Sequence, residues 1–139
     1  LYIHSAHVDR LAYVLKHHMN LSFKQLVDVL GSDFVEKKYR FLIVYNFLSL
    51  RWNLRIFVKC WSSDGISIPS LTFLFSSANW LEREVYDMFG IYFVNHRDLR
   101  RILTDYGFDG HPLRKDFPLS GYLEIRYDES NKKICTEPV

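Results

Sequence analysis

The sequence predicts an α+β fold: a small mixed or antiparallel sheet with a β-hairpin packed by amphipathic helices, followed by an extended, irregular C-terminal arm. Three observations lead there. Leu54, Ile56, Val58 and Cys60 alternate with Arg55, Phe57, Lys59 and Trp61, the period of a strand. Val8, Leu11, Ala12, Leu15 and Met19 recur at helical spacing. Thr104 to Gly121 carries three glycines, two prolines and neither period. The division that follows is a compact domain over residues 1–103 and an arm over residues 104–139.

In chain order, Ser5 is the expected N-cap of a helix running to Met19, with Asn20 as its stop. Phe23 to Leu30 reads as a strand closed by Gly31-Ser32-Asp33. Arg40 to Ser49 is apolar on both alternating faces and pairs with the strand from Leu54 to Trp61 through a short turn containing Asn53. Ser62-Ser63-Asp64-Gly65 is a turn, and Pro69 is expected to open a short helical stretch. Asn79, with Glu82 three residues on, suggests a capping box for a helix over Trp80 to Phe89, its stripe formed by Leu81, Val85 and Met88 and its end by Gly90. Tyr122 to Tyr127 alternates as a final strand before a Lys-rich turn and Glu137-Pro138.

Composition narrows the function classes. Eighteen basic and sixteen acidic residues leave a net charge of +2. Residues 1–101 carry 13 basic and 9 acidic groups and residues 102–139 carry 5 and 7, so there is no polybasic patch to hold nucleic acid or an anionic membrane. No apolar run reaches the roughly 20 residues that span a bilayer. Cys60 and Cys135 stand far apart with no CxxC, too few for a zinc site or an iron–sulfur cluster from this chain alone, and suit a reducing compartment. Without an initiator Met, the chain is expected to begin inside a longer polypeptide.

Trp80 to Pro118 concentrates charge and rings, the composition of a surface covered by another protein. Glu84 and Asp87 share a helix side and could serve as acid and base or as metal ligands, but Arg83, Arg97, Arg100 and Arg101 stand ready to pair with them. His111, in Gly-His-Pro-Leu-Arg-Lys-Asp, could act as a base, although no nucleophile motif accompanies it. Arg114 and Lys115 are offset by Asp109 and Asp116. His4 with His7 lacks a third ligand, and His17 and His18 suit a helix C-terminus. A metal-dependent hydrolase using Glu84, Asp87 and His111 is the enzymatic alternative to a docking surface.

Glu82-Arg83-Glu84, two residues, Asp87-Met88-Phe89, six residues, His96, three residues, Arg100, one residue, Ile102-Leu103 resembles the signature of the thirty-kilodalton subunit family of respiratory complex I. The run RRILTDYGFDGHPLRKDFPLSGYLEIRYDE and the hairpin FLIVYNFLSLRWNLRIFVK are similar to that family as well. The resemblance implies a non-catalytic core subunit of mitochondrial NADH:ubiquinone oxidoreductase, on the matrix side of the inner membrane. It would lie in the quinone module of the peripheral arm, where it braces the large hydrogenase-like quinone-site subunit beside iron–sulfur subunits. It implies no cofactor in this chain, with FMN, iron–sulfur clusters and ubiquinone carried by other subunits. It also implies an earlier start and a further segment beyond Glu137-Pro138; an assembly factor of the same fold is the rival within this class.

On this reading Glu84, Asp87, Arg100 and Arg101 form charge-assisted pairs within the domain or across to a partner. Asp105, Tyr106, His111, Arg114, Lys115 and Asp116 contact the partner, and Phe108 and Phe117 anchor it. Replacing Arg114 and Asp116 together should then impair assembly and leave the isolated domain's unfolding midpoint nearly unchanged.

Overall fold

The computed structural model describes residues 1–139. Its centre is the predicted hairpin, β3 (Phe41–Ser49) and β4 (Leu54–Ser62), paired antiparallel from Phe41↔Ser62 to Ser49↔Leu54. The turn works because Asn53 takes the left-handed conformation at φ 51°. Strict alternation turns Phe41, Ile43, Tyr45 and Phe47 inward against Val58 and Cys60. β2 (Gln25–Asp33) adds antiparallel to β3, and β1 (Tyr2–His4) adds parallel to β4, so the sheet is mixed with order β1-β4-β3-β2. Val8, Ala12 and Leu15 of α1 (Val8–His17) and Ala78, Val85, Met88 and Phe89 of α2 (Ala78–Phe89) complete one continuous core.

Several expectations are corrected, each for a local reason. Ser5 does not cap a helix: Ser5–His7 is a 3-10 turn whose Ala6 N–H donates to His4 Nδ1, and α1 begins only at Val8. The helix ends at His17 rather than Met19, because the chain folds back to place Phe23 N–H on Leu15 O and Phe23 in the core. β2 runs through Gly31 to Asp33. That glycine marks a close approach and not a turn, since a Cβ there would lie 2.7 Å from the Phe89 ring.

Pro69 opens no helix either. Ile68–Pro69 is β5, parallel to β6 (Phe93–Val94), with the flanking Ser70 N–H on Val94 O. α2 starts two residues before Trp80 without a side-chain cap, and Ser77 Oγ donates instead to Leu26 O. Glu82 does not reach back as a capping box requires; it is fully buried. Gly90 does end the helix, at φ 78° with its N–H on Tyr86 O. At the C-terminus the single expected strand is one half of a second hairpin, β7 (Leu123–Asp128) with β8 (Lys133–Pro138), closed by Asp128 accepting from Ser130 N–H and Asn131 Nδ2.

The core sheet also buries an orphaned hydroxyl. Tyr45 has no exposed surface and its Oη has no hydrogen-bond partner, so burial lifts its pKa well above the ordinary phenol range. Tyr45→Phe removes only that hydroxyl and is expected to stabilise the chain by about 1 kcal/mol in chemical denaturation. A loss of stability would mean that the hydroxyl has a partner.

A carboxylate-centred junction at the end of α2

Helical spacing puts Glu82, Arg83 and Asp87 on the buried side of α2 and leaves Glu84 in solvent. Asp87 is fully buried and organises the chain that follows. Its Oδ1 accepts from Arg101 Nη1 at 2.8 Å and Thr104 Oγ1 at 2.6 Å. Its Oδ2 accepts from the backbone N–H groups of Ile102 (3.3 Å), Leu103 (2.8 Å) and Thr104 (2.9 Å). Burial by itself raises the pKa of this carboxyl; the Thr104 hydroxyl and backbone and the Leu103 and Arg101 donors reverse that and hold it at about 2.

The last four carbonyls of an α-helix lack intrahelical partners, and here all four are satisfied. Gly90 N–H takes that of Tyr86, His111 Nδ1 that of Asp87 at 3.0 Å, Leu113 N–H that of Met88 at 3.1 Å, and Arg114 Nε that of Phe89 at 2.7 Å. The Arg114 guanidinium therefore sits at the negative end of the helix dipole, and its Nη2 reaches Asp64 Oδ1 at 2.7 Å. The contact leaves no room for a side chain on Gly90, whose Cβ would meet His111 and Arg114 at 2.6 and 2.7 Å.

A third tie fastens the same segment to the sheet. Arg40 forks onto Asp33 through Nε (2.7 Å) and Nη2 (2.8 Å) and onto Asp116 through Nη2 (2.9 Å) and Nη1 (3.2 Å). Asp33 also accepts the Lys115 N–H at 2.9 Å. Arg40, first among its causes, holds the Asp33 carboxyl below the ordinary range despite its burial.

Glu82 occupies a different environment. Its oxygens accept from Ser70 Oγ at 2.6 Å and Leu71 N–H at 2.8 Å, with no exposed surface. His96 Nε2 stands 3.7 Å away, beyond hydrogen-bond distance. Because His96 Nδ1 accepts the Asp98 N–H, the ring proton lies on Nε2 and goes to Asn79 O at 3.1 Å. Glu82 has no hydrogen bond to His96, and burial raises it to about 7.

The residues singled out from sequence divide into two groups. Asp87, Arg101, His111 and Arg114 are engaged within the chain, as is the backbone of Lys115, and Asp116 pairs with Arg40 while its side chain stays exposed. Asp87 has no surface with which to touch a partner, so its part is to set the shape of residues 101–104. Glu84, Asp105, Tyr106 and the Lys115 side chain remain exposed, and Arg100 pairs at the surface with Asp98 at 2.8 Å. Phe108, Phe117 and Tyr122 form a half-open ring cluster, with centroids 5.9 and 5.3 Å apart.

Glu84, Asp87 and His111 do not converge: Glu84 faces solvent, the Asp87 oxygens are saturated, and His111 meets the Asp87 backbone. Sequence reasoning misses Asp33 and Arg40, which it places only at the margins of strands. Their signal is an acid and an arginine closing opposite ends of one β-connection. Because Arg114 and Asp116 hold the domain together, their double replacement by Ala is expected to lower the isolated chain's thermal midpoint by several degrees, corresponding to about 2 kcal/mol or more. An unchanged midpoint in a thermal melt would contradict these ties.

This geometry defines an α+β domain whose signature charges build an internal junction between a helix end and an irregular segment. The chain belongs to the family of the respiratory-chain NADH dehydrogenase 30 kDa subunit, whose profile matches residues 1–123. It is 56% identical over 99% of its length to NADH-ubiquinone oxidoreductase subunit 9 of Reclinomonas americana, spanning 67% of that protein. It is 53% identical over its whole length to the mitochondrial NADH-ubiquinone oxidoreductase 30.4 kDa subunit of Neurospora crassa, of which it spans only 49%. To NADH-ubiquinone oxidoreductase subunit 9 of Prototheca wickerhamii it is 50% identical over 99% of its length, spanning 72% of that protein. Among solved structures, a trypsin-resistant fragment (1-134) of Nqo5 is similar with a TM-score of 0.59 and 34% identity, over 70% of this chain and 80% of the fragment.

Proposed function

We propose that the chain is a non-catalytic core subunit of mitochondrial NADH:ubiquinone oxidoreductase. It sits on the matrix side in the quinone module of the peripheral arm and braces the large hydrogenase-like subunit beside the iron–sulfur subunits. Electrons pass from NADH through FMN and iron–sulfur clusters to ubiquinone on those neighbours. The chain's own donor set suits a cofactor-free role: Cys60 is sealed in the core sheet and Cys135 lies on the terminal hairpin. No helix is long and apolar enough to cross a membrane.

The observation that carries this reading is the hairpin β7–β8. Its register puts Leu123, Ile125, Tyr127 and Ile134 on one face, and each is 59–74% exposed. Glu124, Arg126, Asp128, Lys133 and Glu137 occupy the opposite face, where Arg126 pairs with Glu137 at 2.6 Å. A lone two-stranded hairpin is marginal in water, and an apolar face of this kind marks a surface meant to be covered.

Charging that face with Ile125→Lys and Ile134→Lys tests the proposal. Native-gel separation with mass spectrometry should show the variant excluded from the assembled oxidoreductase, while the isolated chain melts where the native one does. Normal incorporation would refute the docking role, and a native chain absent from the mature complex would mark an assembly factor.

A further inference from the structure

The geometry points to a carboxylate-binding cleft at Arg83, built to take one acidic side chain of a partner polypeptide. The cleft measures about 330 Å³ and is lined by Arg83, Arg100, Arg101, Thr104 and Tyr106. Three guanidiniums meet there, but two are already compensated: Arg101 by Asp87 at 2.8 Å and Arg100 by Asp98 at 2.8 Å. Arg83 is not. It is only 6% exposed, and its hydrogen bonds are two long ones, from Nε to Arg100 O at 3.3 Å and from Nη2 to Arg101 O at 3.4 Å. Asp87, one helical turn on, has both oxygens engaged elsewhere.

Arg83 is largely buried, and its Nη1, which donates no hydrogen bond within the chain, keeps contact with solvent and is free to take an acceptor from outside. Its planar fork matches a carboxylate. Arg83 is the guanidinium of the cleft with no ion pair of its own, Asp98 acting on it only at longer range, so that a single carboxylate completes the balance and a phosphate, carrying about −1.5 to −2, would overshoot it. The lining identifies a polypeptide as the carrier: Tyr106 is 97% exposed and Ile102 adds an apolar wall, an aromatic and an aliphatic flank of no use to a free anion. This deepens the reading of the chain as a docking subunit and rests on it.

Isotope-labelled chain, titrated with acetyl-Leu-Glu-Leu-amide, should show a saturable shift of the Arg83 Nε–H resonance in the roughly millimolar range. The same peptide with Gln in place of Glu, and inorganic phosphate at equal ionic strength, should act at least about tenfold more weakly. Arg83→Gln, which removes that reporter, is read at the Arg100 Nε–H, whose shift in the native chain should disappear in the variant. Arg100→Gln, at the exposed rim, keeps the fold and should weaken binding severalfold, so the test survives if the Arg83 variant unfolds. An equal response to phosphate or to the Gln peptide, or no saturable shift with the Glu peptide, overturns the cleft. Those failures leave the terminal-hairpin experiment untouched, so the two readings fall separately.

Discussion

Asp87→Ala is expected to destabilise the isolated chain by about 3–5 kcal/mol at neutral pH, among the larger effects available to a single substitution. The change strands Arg101 and leaves the N–H groups of residues 102–104 without their common acceptor in a buried site. Asp87→Asn keeps the shape but cannot accept from every donor, so it should fall between Ala and native. The native acid limb carries the same signature. A carboxyl held at about 2 against an ordinary 3.8 contributes stability that is fully present above 3.8 and lost as pH falls through 2. Native protein should therefore lose about 2 kcal/mol more than Asp87→Asn across that window, measured by urea midpoints. Superimposable acid limbs would refute the assignment.

Glu82→Gln is expected to do the reverse and stabilise the chain by about 2–3 kcal/mol at pH 8. The wild-type carboxyl titrates near 7 when folded and near 4.5 when unfolded, because burial favours its protonated form. With the folded value raised, the stability linked to this proton is complete below 4.5 and disappears as pH rises through 7. Gln can still accept from Leu71 N–H and can donate to Ser70 Oγ, so shape and partners survive while the charge does not. Stability curves for native and Glu82→Gln should coincide near pH 4 and separate as pH rises. Parallel curves would mean that a charge near Glu82, His96 foremost, already neutralises it.

The sheet was legible because its signal is local. Period-2 alternation over β3 and β4 fixes which side chains face inward, and a left-handed Asn53 suits the turn between them. Pro69 and Gly31 misled for one reason: each residue is read as punctuation by default, and only tertiary neighbours, Val94 in one case and Phe89 in the other, show that the strand continues. The site was visible as a motif but not as a mechanism. Glu84 and Asp87 carry equal weight in sequence, yet helix phase sends one to water and buries the other beneath Arg101. Arg83, next to two acids in the chain, pairs with neither. His111 resembled a base by its flanking Gly and Pro, whereas its nitrogen closes a helix some twenty residues earlier, a long-range partnership that spacing does not encode.

The finishing of α2 by His111, Leu113 and Arg114 also sets an order of events during synthesis. When Phe89 leaves the ribosome the helix still ends in open carbonyls, and it stays so until residue 114 has emerged. A nascent chain interrupted before that point carries a frayed helix, a loose segment over Gly90 and an Arg40 held by Asp33 but not yet by Asp116. Maturation of this domain is thus timed by a short stretch near its C-terminal end.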